Sequence, residues 1–140
     1  MWALSETLLK PQDSLEAVNY FSAYAEWLPS ASSRHRSYVK ALKCVGVTTH
    51  ISHFKKKTKT CKKCGVSWDS HEEKETDVKL ALQILEDAST NSFDKALLVS
   101  ADSDMVPVIK TVQRLFPEKK NHACNSTKAF RYCQRFKERH

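Results

Sequence analysis

One apolar run that ends in two carboxylates constrains this chain more than any other feature. It reads Lys95-Ala-Leu-Leu-Val-Ser-Ala-Asp-Ser-Asp104, followed by Met-Val-Pro-Val-Ile109. Ala96 to Ser100, rich in Leu and Val, has the composition of a strand buried on both faces of a parallel sheet. Asp102 and Asp104 follow directly, and Pro107 falls in the first turn of a predicted helix. Such a strand delivers charge to the carboxyl edge of an α/β sheet, where ligands bind in folds of this kind.

The remaining segments supply the layers that such a strand needs. Leu4, Leu8 and Leu9 share a helical face that Pro11 ends, and Leu15 to Ala23 alternates as a strand. Residues 24–33, with Trp27 and Pro29, read as a loop. Tyr38, Ala41, Leu42 and Val45 then recur at helical spacing over residues 34–45. After Gly46, residues 47–54 alternate as a strand, and residues 55–71 form a Lys- and Cys-rich hairpin. Residues 74–88 carry the clearest helical stripe, Val78, Ala81, Leu82 and Leu85, widened by Leu80 and Ile84. A turn at 91–94 leads into the Leu-Leu-Val strand, and residues 106–116 form a helix closed by Pro117. The order α, β, α, β, hairpin, α, β, α predicts a three-layer α/β sandwich with a mostly parallel sheet.

At 140 residues the chain is one domain with room for a real core. Its net charge of +7 is unevenly placed. Lys55, Lys56, Lys57, Lys59, Lys62 and Lys63 crowd into residues 55–63, which suits a polyanionic partner or a solvated hairpin that only aids solubility. No run approaches the roughly 20 apolar residues of a membrane span. The first ten residues lack the pattern of a signal peptide. Five cysteines, two of them in a Cys-x-x-Cys, do not make a disulfide framework, and a cytoplasmic protein is expected.

The run His71-Glu-Glu-Lys-Glu-Thr-Asp-Val-Lys-Leu-Ala81, with Leu97-Leu-Val-Ser-Ala-Asp-Ser-Asp104 after it, closely resembles the NYN domain family, a branch of the PIN-like metal-dependent ribonucleases. Asn19-Tyr-Phe-Ser-Ala23, Lys62-Lys-Cys-Gly65 and Arg114-Leu-Phe-Pro117 fit it too, so the likeness runs from about Leu4 to Lys119. The resemblance implies a PIN-like, Rossmann-like sheet and a site of carboxylates around Mg²⁺ or Mn²⁺. The matching positions are Asp77, Asp102 and Asp104. A hard cation prefers such oxygens, acidifies an attacking water and neutralises charge on a phosphate under in-line displacement. Read without the family, Asp77 complements a helix dipole and Asp104 caps the following helix. Glu72 and Glu73 are outer or solvated groups, and Ser100 and Ser103 are turn serines able to orient a carboxylate or phosphate.

Two departures from the family pattern shape the expectation. Family members open with an apolar strand ending in aspartate, and no counterpart stands here. By the resemblance that strand is central, so residues 1–120 are expected to form an incomplete domain, short of one carboxylate and with two bare sheet edges. After Pro117 the family continues with an apolar strand and a proline-rich turn, whereas residues 121–140 are polar and poorly patterned. Back-translated and read one base later, residues 121–131 permit Ile-Thr-Leu-Ala-Ile-Pro-Pro-Lys-Arg-Phe. A shifted reading frame is therefore expected from about residue 121 on, which would leave Cys124, Cys133 and the basic tail without designed function.

Cys61-x-x-Cys64-Gly65 is the knuckle half of a zinc ribbon. His53 and His71 are the expected further ligands of a structural Zn²⁺, with His50 as the alternate for His53; the other reading is a reduced, metal-free hairpin. Three functions remain open: a ribonuclease cutting single-stranded RNA with lysines 55–63 on the phosphates, expected to be impaired or inactive in this chain for want of one carboxylate; a non-catalytic nucleic-acid-binding module; and a non-functional gene fragment. The missing strand and the unpatterned tail favour the last two. Among the aromatics, Tyr20 and Tyr38 are expected to pack, and Trp68 beside the lysines is expected to meet RNA.

Overall fold

A run rich in β-formers over Asp13–Ala23 makes β1, which buries Val18, Tyr20, Phe21 and Ala23, with Phe21 in one apolar cluster and Val18 and Tyr20 in the other. The computed structural model describes residues 11, 13–100, 103–124 and 131–138, with side chains as far as Lys119. The helix expected over the first ten residues lies outside the described residues.

Helix α1 spans Pro29–Cys44 and starts five residues before the expected point. Pro29 at its first position is the reason, since proline there forgoes only an N–H that has no helical partner. Strand β2, Thr48–Thr60, pairs in parallel with β1 from Asn19↔Thr48 to Ala23↔Ser52. Beyond Ser52 it pairs only with β3, Ser67–Lys74, in an antiparallel ladder from His53↔Lys74 to Thr60↔Ser67. Helix α2 is Thr76–Ser89, β4 is Lys95–Val99, and a 3-10 turn at Ser103–Met105 leads into α3, Val106–Leu115. Strands β5, Lys120–Cys124, and β6, Arg131–Glu138, complete the sheet.

The sheet order is β3-β2-β1-β6-β4-β5. The fold class is α/β, as expected, but the sheet is mixed rather than mostly parallel. β1–β2 and β4–β5 are parallel, while β2–β3, β1–β6 and β6–β4 are antiparallel. Nor are the inner edges bare. β6 fills the expected gap, with Tyr20 of β1 and Val99 of β4 both opposite the backbone of Tyr132. The cause lies in backbone chemistry: a strand's N–H and C=O groups accept a partner of either direction, whatever its side chains.

Two apolar clusters fill the core. Phe21, Leu80, Ile84, Phe93, Leu98, Met105 and Val112 join β1 and β4 to α2 and α3. Val18, Tyr20, Val39, Leu42, Val47 and Val99 join the sheet to α1. At the opposite end of the sheet from the acidic segments, Lys95 Nζ donates to Asp13 Oδ1 at 2.5 Å with both side chains largely buried, which ties β4 to β1 across β6. No helix among the described residues is long and apolar enough to cross a membrane.

Candidate functional site

The first turn of α2 is held by three local devices. Glu75 takes a left-handed conformation, φ 69°, that breaks the chain sharply out of β3. Thr76 Oγ1 donates to Glu73 Oε1. Lys79 Nζ lies 3.3 Å from Glu75 Oε2 and donates to the carbonyl of Ile51 at 3.3 Å, which fastens the turn to the end of the β1–β2 ladder. Asp77 is set by this turn and is half-buried.

The second acidic segment follows β4. Asp104 is exposed in the 3-10 turn, which is anchored by buried Met105 and touches α2. Both segments stand at the carboxyl edge of the parallel strands, α2 because it begins where β3 pairs with His53, and the turn because it leaves β4. Asp102 lies outside the described residues. Among the described residues no three His, Cys, Asp or Glu side chains form a metal-binding group. The donor type that these two segments carry is the carboxylate oxygen, a chemistry that fits Mg²⁺ or Mn²⁺ and not a thiophilic ion.

From the same edge a two-stranded ribbon projects, built from the eight pairs between His53↔Lys74 and Thr60↔Ser67. It is about 25 Å long at the rise of an extended strand. Residues 55 to 60 of β2 alternate across its two faces, so Lys55, Lys57 and Lys59 share one and Lys56 lies on the other. The strand β3 opposes part of that charge. Lys56 meets Asp69 at 2.8 Å, while Lys57 and Lys74 meet Glu72 at 3.6 and 2.7 Å. The two ammonium groups, Lys74 foremost, hold the Glu72 carboxyl below the usual carboxylate range. Lys55, Lys59, Lys62 and Lys63 form no ion pair among the described residues.

The ribbon also separates the four residues expected to share zinc. His53 is eight residues from Cys61 along β2, about 26 Å in an extended strand. His71 is opposite Lys56, five residues from Cys61 and about 16 Å away by the same rise. Zinc bonds are about 2 Å long, so His53, Cys61, Cys64 and His71 do not make one site. His71 instead stacks on Trp27, with ring centroids 3.6 Å apart at 7°. His50 is occupied too. Its Nε2 lies 3.0 Å from Asn19 Oδ1, its ring stacks on Phe21, and burial holds its pKa below the ordinary imidazole value.

Cys61 and Cys64 do stand together at the ribbon's tip. Cys61 N–H donates to the Val66 carbonyl and Gly65 N–H to the Cys61 carbonyl, and Gly65 at φ 72° completes the turn. The backbone amides of Cys64 and Lys63, and then the Cys64 thiol, donate to the Cys61 sulfur and lower its pKa. Of the aromatics, Trp68 is exposed on β3, Tyr20 is buried, and Tyr38 meets Tyr20 edge-on. The Trp27–His71 stack had no signal in sequence, since its partners are far apart in the chain and in different elements.

Comparison with known proteins adds one finding. The profile of the family described as NYN domain matches residues 6–119, more than half of the chain. That span contains both acidic segments, the ribbon and the cysteine turn. No curated protein and no solved structure matches at a significant level.

Proposed function

We propose, from the premise that this chain belongs to the NYN domain family, that it is a PIN-like nuclease-type domain hydrolysing RNA phosphodiesters with a divalent metal. Asp77, Asp102 and Asp104 would hold Mg²⁺ or Mn²⁺, which when bound acidifies water and offsets charge on the phosphate. The protein's own part is to bring carboxylates from two chain segments to one edge and to present RNA there. What supports the reading most is a single juxtaposition: the helix whose first turn carries Asp77 packs against the turn carrying Asp104, with Met105 in one cluster with Leu80 and Ile84, at the edge from which the lysine ribbon leaves the sheet. Single-stranded RNA would lie along the ribbon, its phosphates near Lys55, Lys59, Lys62 and Lys63.

The test is cleavage of an end-labelled single-stranded RNA with Mn²⁺, parent chain against Asp77→Asn and Asp104→Asn. Loss of a charge-stabilising group is expected to slow cleavage on the order of a hundredfold. Equal rates in parent and variants would remove both residues from the chemistry. The four lysines without ion pairs favour a second reading, a module that binds RNA and does not cut it. Salt-sensitive RNA binding without any Mn²⁺-dependent cleavage selects that reading.

A further inference from the structure

Where the chain leaves β1, residues Tyr24, Glu26 and Trp27 face Ser52, His53 and Phe54 of β2 across a cavity of about 100 Å³. The place matters, because Ser52 is the last residue of β2 paired to β1 and His53 the first paired to β3 alone. The cavity therefore sits at the root of the lysine ribbon. Ile51, next to Ser52, is the residue whose carbonyl receives Lys79 from the first turn of α2, the turn that carries Asp77. The ribbon that carries the lysines runs outward from the cavity, and Lys79 ties its root to the first turn of α2.

Its wall is made largely of flat rings. The Trp27 indole stacks on His71, meets the Phe54 ring edge-on at 4.8 Å, and is still 40% exposed. The carboxylate of the wall, Glu26, is already paired with Arg36, whose guanidinium lies 4.2 Å from the Tyr24 ring centre. A polyanion approaching the cavity thus meets a neutralised acid.

We infer that this cavity is a nucleobase subsite: one base of single-stranded RNA stacks on the exposed part of Trp27. The inference rests on the RNA reading above and deepens it by naming what holds the substrate besides its phosphates. A base suits the cavity because it is a flat ring with polar edge groups. Stacking serves any base, and the polar edge groups stay turned to water. Held between ribbon and acidic edge, the base would fix the register of the adjoining phosphodiester at the metal ligands.

The experiment measures binding of the full chain, in EDTA so that nothing is cut, to a labelled single-stranded RNA and to an abasic strand of the same length. The parent is expected to favour the base-bearing strand by roughly tenfold or more. Trp27→Ala should lose that preference with the salt dependence unchanged, and Trp27→Phe should keep most of it with a thermal melt close to the parent's. Salt-sensitive binding of both strands by the parent with no preference for bases overturns the subsite and leaves the RNA reading standing. Preference retained in Trp27→Ala overturns the subsite as well. No binding of either strand by the parent overturns both.

Discussion

The body of the sheet and the ribbon that grows out of it are built by different rules. In the body, β1 and β4 are flanked on both faces by apolar clusters, and each buried side chain meets others from distant parts of the chain. In the ribbon, beyond Ser52, the two strands have only each other, and most side chains are exposed. A two-stranded antiparallel ladder is marginal alone in water. Here it is anchored at its root by Phe54, Trp27 and His71 and crossed by exposed ion pairs, which solvent screening leaves weak. The difference teaches that stability resides in the body, while the ribbon's sequence is free to serve a ligand.

The largest expected effect breaks the body and spares the ribbon. Phe93 has no exposed surface and packs in the cluster between the sheet and α2. Phe93→Ala is expected to cost about 3 to 5 kcal/mol in a urea titration, from lost burial and the cavity left behind. Trp68→Ala, on the exposed outer ribbon, is expected to stay within about 0.5 kcal/mol. A ribbon substitution as damaging as the core one would erase the distinction between the two regions.

How legible each region was follows from the same contrast. The Leu15–Ala23 strand and the Leu-Leu-Val run are dictated by burial, and each was readable from one stretch of sequence. The helix over residues 74–88 was readable too, but not its face: Val78 and Leu82 of the expected stripe are exposed, and Leu80, Ile84 and Ala88 are the residues buried. α1 was read late because residues 30–33 are small and polar, although Pro29 itself marks a first helical position. Strands β5 and β6 had no readable pattern; neighbouring backbones, not their own propensity, place them. The placement of Asp77 and Asp104 at the sheet edge was legible because each stands at the start of an element. The zinc grouping failed because spacing in sequence is not distance along an extended ribbon. The cavity at the ribbon's root was unreadable, as Trp27, Ser52 and His71 come from three separate segments.

A smaller effect sharpens the contrast through pH. In the body, burial lowers the pKa of His50, the first of its causes; Asp87 raises it and Lys79 lowers it, with Asn19 and Phe21 facing the ring from β1. His35, whose Nε2 lies 3.1 Å from the Tyr20 hydroxyl, is lowered first by burial and then by Arg36. The unfolded chain therefore takes up protons before the folded one as pH falls. The stability these neutral rings confer is present above the unfolded histidine value, near 6.5, and is lost as pH falls through the lower folded values. The melting temperature should drop between pH 7 and pH 5, and drop less in His50→Gln. A flat profile in the parent would mean that neither ring is held neutral by folding.

The smallest effect on stability falls on the ribbon lysines, and it is the one that asks what the ribbon is for. Lys56 and Lys57 already face Asp69 and Glu72, whereas Lys55 and Lys59 form no ion pair among the described residues. Each phosphate neutralised on a single strand contributes about 0.7 to the slope of log affinity against log salt. Replacing Lys55 and Lys59 together by Gln should reduce the slope for single-stranded RNA by about 1.4 if both meet phosphates. The same change at Lys56 and Lys57 should reduce it less, because those ammonium groups release fewer counterions on binding. Both double variants should unfold within about 0.5 kcal/mol of the parent, as exposed substitutions do. Equal slopes for the two pairs would show that the β3 carboxylates do not divide the ribbon into bound and spent charge. An unchanged slope for Lys55 and Lys59 would take RNA off the ribbon while leaving the body of the sheet as it is.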